Sequence, residues 1–439
     1  MLERPYESYV YAYPHKTAYR PLDPKPLLAD VWRGESRDAL SFYAHIPFCE
    51  VRCGFCNLFT RTGAPETLTA AYLDALERQA VAVRTALDES GPEPRFANAA
   101  FGGGTPTYLS ADELARLFDI AAKVMGVGFG SVPLSVEASP ATATPDRLAL
   151  LAERGTTRLS LGVQSFDDVE ARSAVRPQKA SEVFAALDAI RAAGIPILNI
   201  DLIYGIDGQT RDSWRSSLAT ALRWSPEEIY LYPLYVRPLT GLGRLNLDRD
   251  AAWDAQRLDL YRAGRDYLLE NGYEQVSMRM FRRRDAPVIE GGEDYACQTD
   301  GMIGLGCGAR SYTSSLHYSF DYAVSASEVR GIIDDYVATE DFGRAEVGYR
   351  LDADEQARRF LIQSLLQAEG LEHGEVADRF HVELELLRKR GFLDGDSLTH
   401  EQISLPLRLS DEGLAWSDSI GPMFFSEPVR AAMRAYDLK

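Results

Sequence analysis

Between about residues 40 and 235 the chain alternates short apolar runs with longer amphipathic ones, and this alternation limits the folds open to it. Leu40–His45, Asn98–Phe101, Pro133–Ala138, Arg158–Val163, Ile197–Ile203 and Glu228–Leu231 have the length and apolar character of strands. The runs between them are helical in period: Leu68–Leu87, Ala111–Met125, Pro145–Glu153, Ser181–Ala193 and Asp212–Trp224. Strands separated by a helix-length crossover pair in parallel, with the helices covering the sheet. The pattern predicts an α/β fold, a partial (β/α)6 TIM-type barrel, open because eight repeats are not visible.

Beyond the barrel the pattern loosens. Trp253–Glu270 reads as a helix, Tyr273–Met278 as a strand, and residues 290–312 are glycine-rich. Asp352–Gln367, Gly374–Phe380, Leu384–Lys389 and Asp411–Ser419 read as helices and Ser404–Leu409 as a strand, a small C-terminal α/β or winged-helix-like domain. The expected division is an N-terminal extension over 1–39 that packs on the barrel, the barrel over 40–245, a barrel-completing segment over 246–350 and the small domain over 351–439.

Directly after the first strand comes Cys-Glu-Val-Arg-Cys-Gly-Phe-Cys, residues 49–56. Three of the chain's five cysteines fall in this loop, Cys49, Cys53 and Cys56. Three thiolates are one fewer than a closed zinc site or an ordinary iron–sulfur cluster needs. The loop therefore reads as a metal centre with one coordination position open. Three other readings compete: a disulfide, which the odd number disfavours; a zinc site completed by His45; and inert buried cysteines. The N-terminus has no apolar leader core, and no apolar run approaches the roughly 18 residues that span a bilayer. A reducing cytoplasmic setting suits free thiolates. The net charge of −18 argues against a nucleic-acid surface.

Each expected strand ends on a glycine or polar residue, where barrel enzymes carry their chemistry. The second runs into Phe-Gly-Gly-Gly-Thr-Pro-Thr, residues 101–107; the third carries Glu137, the fourth Gln164 and the fifth Asp201; Tyr232 to Arg237 follow the sixth. Asp201 lies between Ile200 and Leu202, so its carboxylate needs a partner inside the barrel, where it would suit ribose hydroxyls.

Taken in order, these residues resemble a known family. The cysteine spacing is the hallmark of radical S-adenosylmethionine (SAM) enzymes. Tyr-Ala-His-Ile-Pro-Phe-Cys (43–49), the glycine loop, Arg-Leu-Ser-Leu-Gly-Val-Gln-Ser-Phe (158–166) and Asn-Ile-Asp-Leu-Ile-Tyr-Gly (199–205) are similar to oxygen-independent coproporphyrinogen III dehydrogenase (also called oxidase) and its relatives. The resemblance spans about residues 40–315. It implies a barrel of the radical SAM kind, with Cys49, Cys53 and Cys56 holding a 4Fe–4S cluster. It implies SAM at the fourth iron, cleaved to a 5′-deoxyadenosyl radical that abstracts a substrate hydrogen. By motif position, Tyr43, Gly104 and Glu137 contact that SAM, with Arg310 near another such position. Phe55, Thr105, Gln164, Arg176, Asp201 and Tyr235 line a second SAM site, Arg176 being suited to bidentate carboxylate binding. The resemblance also implies a small-molecule substrate, an electron donor of the flavodoxin or ferredoxin type, and a monomer.

The chain departs from the porphyrinogen dehydrogenase at Leu58, where that enzyme carries a further cysteine two positions after the third. The related haem-chaperone branch has a His-Asn-x-x-Tyr-Trp string where this chain reads Tyr-Ala-Cys-Gln-Thr-Asp (295–300). Cys297 and Cys307 are candidate catalytic thiols, as hydrogen donors or acids, or else small buried residues. His15 and His317 read as surface or core histidines. Four functions follow: class C methylation or cyclopropanation of a small unsaturated or aromatic metabolite by two SAM molecules; oxidative decarboxylation of coproporphyrinogen III or another porphyrin-related step; non-enzymatic haem handling; and zinc-bound structural support.

Overall fold

The computed structural model describes residues 2–245, 250–289, 297–372, 374–394 and 406–438. Its centre is the expected run of parallel strands: β1 (Leu40–Ile46), β2 (Phe96–Gly103), β3 (Leu134–Ala138), β4 (Arg158–Gln164), β5 (Ile197–Tyr204) and β6 (Glu228–Pro233). Each is hydrogen-bonded in parallel to the next. The intervening helices are α1 (Glu66–Ser90), α2 (Ala111–Asp119), α3 (Pro145–Glu153), α4 (Ala180–Ala193) and α5 (Arg211–Ala221). Helix α1 shows why the sequence forms this layer. Tyr72, Leu73, Leu76, Ala80, Val83 and Leu87 recur at helical spacing and are buried on one face. Helix α2 starts on a reciprocal capping box between Ser110 and Glu113 and continues as a π-helical turn, Ile120–Val124.

The sheet extends further than the sequence pattern implies. After α6 (Ala251–Glu270), β7 (Met280–Arg283) pairs antiparallel with β6. The expected strand over 273–278 is only Tyr273–Gln275, at the edge of the sheet beyond β7. At the other end β8 (Met302–Leu305) joins β1 as a seventh parallel strand. It leads through β9 (Arg310–Tyr312) and β10 (Leu316–Ser319) to β11 (Val347–Arg350), all antiparallel. Gly304 lets the β8–β9 hairpin close, since a Cβ there would lie 2.1 Å from the Arg310 carbonyl oxygen. The sheet has 13 strands among the described residues, and its two end strands do not pair with each other.

One large core lies between sheet and helices. A second gathers α7 (Ala353–Leu365), the helices His381–Lys389 and Ser417–Met423 (α8), and three residues of the N-terminal segment, Leu2, Tyr13 and Ala18. Of the expected strand over 404–409, residues 404 and 405 lie outside the described residues, and Leu407 and Leu409 form isolated bridges to Leu371 and Leu393. No described helix is long and apolar enough to cross a membrane.

Candidate active site at the mouth of the sheet

Two backbone hydrogen bonds clamp the entry to the cysteine loop onto the glycine loop. Gly104 N–H donates to Ile46 O at 2.8 Å and Thr105 N–H to Phe48 O at 2.8 Å. A Cβ on Gly104 would lie 2.7 Å from Phe48 O and 3.0 Å from Cys49 Sγ; one on Gly103, where φ is +118°, would strike the His45 ring at 2.6 Å. Only glycine lets the two loops approach this closely. Cys49 Sγ lies 3.4 Å from Thr105 Oγ1, Cys56 Sγ 3.9 Å from Thr60 Oγ1, and Cys53 Sγ accepts from Arg176 Nη1 at 3.1 Å. Burial pushes the Cys49 thiol up to about 12 and raises that of Cys56. Thiolates in such a place are disfavoured unless a cationic metal offsets them. The donor set fits an iron–sulfur cluster.

His45 does not complete a zinc site. Its Nε2 faces Phe59 O at 3.1 Å and its Nδ1 faces Tyr43 Oη at 3.2 Å. Both ring nitrogens are engaged, and burial lowers the ring to about 4, so it is neutral. The zinc reading is corrected accordingly.

Two carboxylates stand at the ends of β3 and β5. Glu137 Oε2 accepts the Gly103 N–H at 3.1 Å. Enclosure and then the neighbouring Asp201 push it up to about 7. Its side chain keeps solvent access although protein surrounds it, so that access is to the interior of the mouth. Asp201 is pinned by Asn199 Nδ2 at 2.7 Å and Ser160 Oγ at 3.2 Å, and burial raises its carboxyl too. Gln164 holds a φ of +68° beside a register shift in β4, which re-aims the residue at the strand end. Arg176 differs from the expected bidentate carboxylate clamp. It spends Nε on Gln178 and Nη2 on Gly162 O, and aims Nη1 at Cys53. Phe55 packs with Ile203, Leu234 and Leu242 beside the loop.

The two ends of the chain close over this ring; the sequence leads one to expect an N-terminal extension packed on the barrel, but neither its path across the mouth nor the contribution of Asp418. Residues 8–16 run across the mouth as a strap. Ser8 N–H donates to Asp418 O at 3.1 Å, and Gln298 holds Tyr13 N–H and Tyr11 O at 3.1 Å each. The Tyr9 ring meets Tyr232 at 6.2 Å. Arg310 Nη1 donates to Tyr11 Oη at 2.9 Å. Lys16 Nζ sits 3.6 Å above the Tyr322 ring, whose hydroxyl donates to Asn57 O beside the cluster loop. Burial lowers Lys16 to about 8. Burial also acts to raise Tyr11, but Arg310 and Lys16 outweigh it and its phenol is lowered. His15 is kept neutral by burial and by Lys16, Arg310 and Arg237. From the C-terminal side Asp418 on α8 accepts from Tyr235 Oη at 2.6 Å and pairs with Arg279, itself 3.9 Å from the Tyr9 ring. The Tyr235 hydroxyl is thus committed to the small domain. The available sequence signal was Tyr9, Tyr11 and Tyr13 at alternate positions, the period of an extended segment with a buried side.

The two remaining cysteines part company. Cys297 is half-buried near Arg310, Asp300 and Tyr312, its thiol pushed up to about 11 by burial. Cys307 is buried in the main core, its Sγ 3.8 Å from the Tyr72 hydroxyl of α1. His317 is buried with Nε2 at 3.0 Å from Arg359.

Comparison with known proteins gives the chain's relatives. Residues 43–221 match the Radical SAM superfamily. The chain is 29% identical over 385 residues to the oxygen-independent coproporphyrinogen III oxidase of Escherichia coli, covering 81% of this chain and 80% of that one. It is 27% identical over 347 residues to the heme chaperone HemW of Bacillus subtilis, covering 77% and 86%. The solved structure of the E. coli coproporphyrinogen III oxidase HemN, a radical SAM enzyme, superposes with a TM-score of 0.73 at 26% identity, covering 90% of this chain and 92% of that one.

Proposed function

We propose, for a radical SAM enzyme whose family domain spans residues 43–221, an oxidation of a carboxylate-bearing, porphyrinogen-like substrate held in the mouth beneath the N-terminal strap. In this reading Cys49, Cys53 and Cys56 hold the 4Fe–4S cluster. Tyr43, Gly104 and Glu137 contact one SAM, and Phe55, Thr105, Gln164, Arg176 and Asp201 line the place of a second. Cluster and SAM, when bound, supply an electron source and a carbon radical able to take hydrogen from a substrate C–H bond. The chain's own part is positioning and exclusion of water. Glu137, ionised, offers an acceptor for an ammonium group. Arg176 steadies Cys53 through its 3.1 Å contact, and Gly102 to Gly104 let a ligand approach the backbone. Tyr9, Tyr11 and Tyr232 roof the site.

The observation that carries this reading is the likeness to the coproporphyrinogen III oxidase along nine-tenths of the chain, together with the ring of strand-end groups around the cysteine loop. The test is anaerobic reconstitution followed by incubation with SAM, reductant and coproporphyrinogen III. The expected products are 5′-deoxyadenosine and carbon dioxide in step; 5′-deoxyadenosine without carbon dioxide removes the decarboxylation. Replacing dithionite by a reduced flavodoxin or ferredoxin tests the donor included in this reading. Stoichiometric haem binding without SAM cleavage would instead align the chain with the chaperone relatives.

A second reading, methylation or cyclopropanation of a small unsaturated metabolite, is favoured by Leu58. That side chain is 48% exposed beside the cluster loop, where the dehydrogenase family carries its extra cysteine. Transfer of label from methyl-labelled SAM into product separates the two readings.

A further inference from the structure

Lys16 and Arg310 meet at Tyr11 of the strap, with His15 next to Lys16 in sequence and Arg237 on the Tyr235 ring nearby, each half-buried, in a chain of net charge −18. Among the described residues, none of the three cations Lys16, Arg237 and Arg310 has a carboxylate partner. Lys16 faces Tyr11 and the Tyr322 ring, Arg310 faces Tyr11 and its ring, and Arg237 faces the Tyr235 ring at 4.5 Å. Arg310 Nε is buried with no hydrogen-bond partner. Two other arginines beside the strap are neutralised, Arg279 by Asp418 and Arg257 by Asp254, and Arg176 spends its donors on Gln178, Gly162 O and Cys53. Cations taken out of bulk water are expensive without a counter-charge, and with 65 acidic residues the chain has the means to supply one. It does so at Arg279 and Arg257 and not at Lys16, Arg237 or Arg310.

We infer that Lys16 and Arg310, flanked by His15 and Arg237, form an anion subsite that receives a carboxylate of the ligand bound in the mouth. This rests on the reading of the mouth as the substrate site and adds the group by which the substrate is recognised. The geometry suits it. Lys16 offers a point charge with three donors, and Arg310 a planar fork whose Nη1 is already oriented by Tyr11. Neutral His15 adds a ring nitrogen, since its Nδ1 is engaged by Thr17 at 2.8 Å. Arg237 also lines an open pocket of about 370 Å³ with Tyr6, Tyr235 and Arg257, which gives an anion a cationic approach. Two sources of the carboxylate share this chemistry, the substrate and SAM itself.

The test uses reconstituted holoenzyme at fixed ionic strength, following the thermal midpoint against succinate in exchange for chloride. Wild type is expected to show a saturable rise. Lys16→Met, which removes a charge that is costly to bury, is expected to fold and to need at least tenfold more succinate; Lys16→Arg restores the response. Equilibrium dialysis then assigns the source. A tenfold weaker affinity of Lys16→Met for SAM assigns the carboxylate to the cofactor. A tenfold loss for coproporphyrin III, absent for its tetramethyl ester and with SAM unchanged, assigns it to the substrate. No succinate response in wild type, or an equal one in Lys16→Met, overturns the subsite, as does a variant that shifts only the reduction potential of the cluster. Failure of wild type to bind coproporphyrin III removes the porphyrinogen reading alone, because the succinate result stands without it.

Discussion

Replacing Asp418 by Ala removes the anion that joins the small domain to the mouth. Asp418 and Arg279 have side chains 1% and 8% exposed, and Asp418 also takes the Tyr235 hydroxyl at 2.6 Å. Asp418→Ala leaves the Arg279 guanidinium buried against the Tyr9 ring with no carboxylate, together with an unpaired phenol. Breaking one side of a buried ion pair costs about 3–5 kcal/mol, and an orphaned buried hydroxyl about 1–3 kcal/mol more; the two overlap, so about 4 kcal/mol is expected. Arg279→Met alone leaves a buried carboxylate that Tyr235 still serves, and should cost about 3 kcal/mol. The double variant removes both charges and should lie within about 1–2 kcal/mol of wild type, because an apolar pair avoids the desolvation. Urea unfolding followed by tryptophan fluorescence measures all four corners of the cycle. Additive losses, with the double variant as unstable as the sum of the singles, would refute the claim that the two residues act as one buried pair.

Three further outcomes follow from the site. Glu137 has its folded-state pKa raised to about 7, so between the ordinary value of 4.5 and about 7 the folded chain holds a proton that the unfolded chain releases; its contribution to stability falls as pH rises through that window. SAM affinity should change in the opposite sense, rising toward a plateau above pH 7 as the carboxylate ionises, and Glu137→Gln should flatten that profile while lowering affinity about tenfold. Gly104→Ala puts a Cβ 2.7 Å from Phe48 O and 3.0 Å from Cys49 Sγ; the loops must part, and iron and sulfide per chain after reconstitution should fall, with full cluster loading counting against the clamp. Cys307→Ser should keep turnover within about twofold and lose about 1–2 kcal/mol of stability through a buried polar substitution, whereas an effect of Cys297→Ser on product yield without an effect on 5′-deoxyadenosine would assign that thiol to a step after SAM cleavage.

The parallel β/α repeat was legible because its strands are continuous apolar runs and its helices keep a 3.6 period. The strand-end residues were legible because a lone carboxylate in an apolar strand, as at Asp201, must face either a partner or a ligand. Short elements were not. Met302–Leu305 is a four-residue strand with a glycine, too brief for any period to register, and only its pairing with Ser41–Ala44 makes it a strand. The Arg279–Asp418 pair spans 139 residues, and nothing local to either residue announces the other. Cys297 and Cys307 look alike in sequence, and packing against Tyr72 separates them.

What the barrel supplies and what the chain ends supply are different in kind. In the proposed function the cysteine loop, the glycine cradle and the β3 to β5 residues serve cluster and SAM, and they are the parts whose motifs resemble the wider family. The roof is built from Tyr9, Tyr11, His15 and Lys16 at one end and from Asp418 at the other, and these ends are tied to each other where Ser8 meets the Asp418 backbone. In that proposal a ligand entering the mouth meets the roof before it meets the cluster. Exchange of the strap should therefore alter which substrate is bound while leaving SAM cleavage to the barrel. The exception would be a strap whose Lys16 proves to hold the SAM carboxylate, in which case cleavage and substrate choice would fail together.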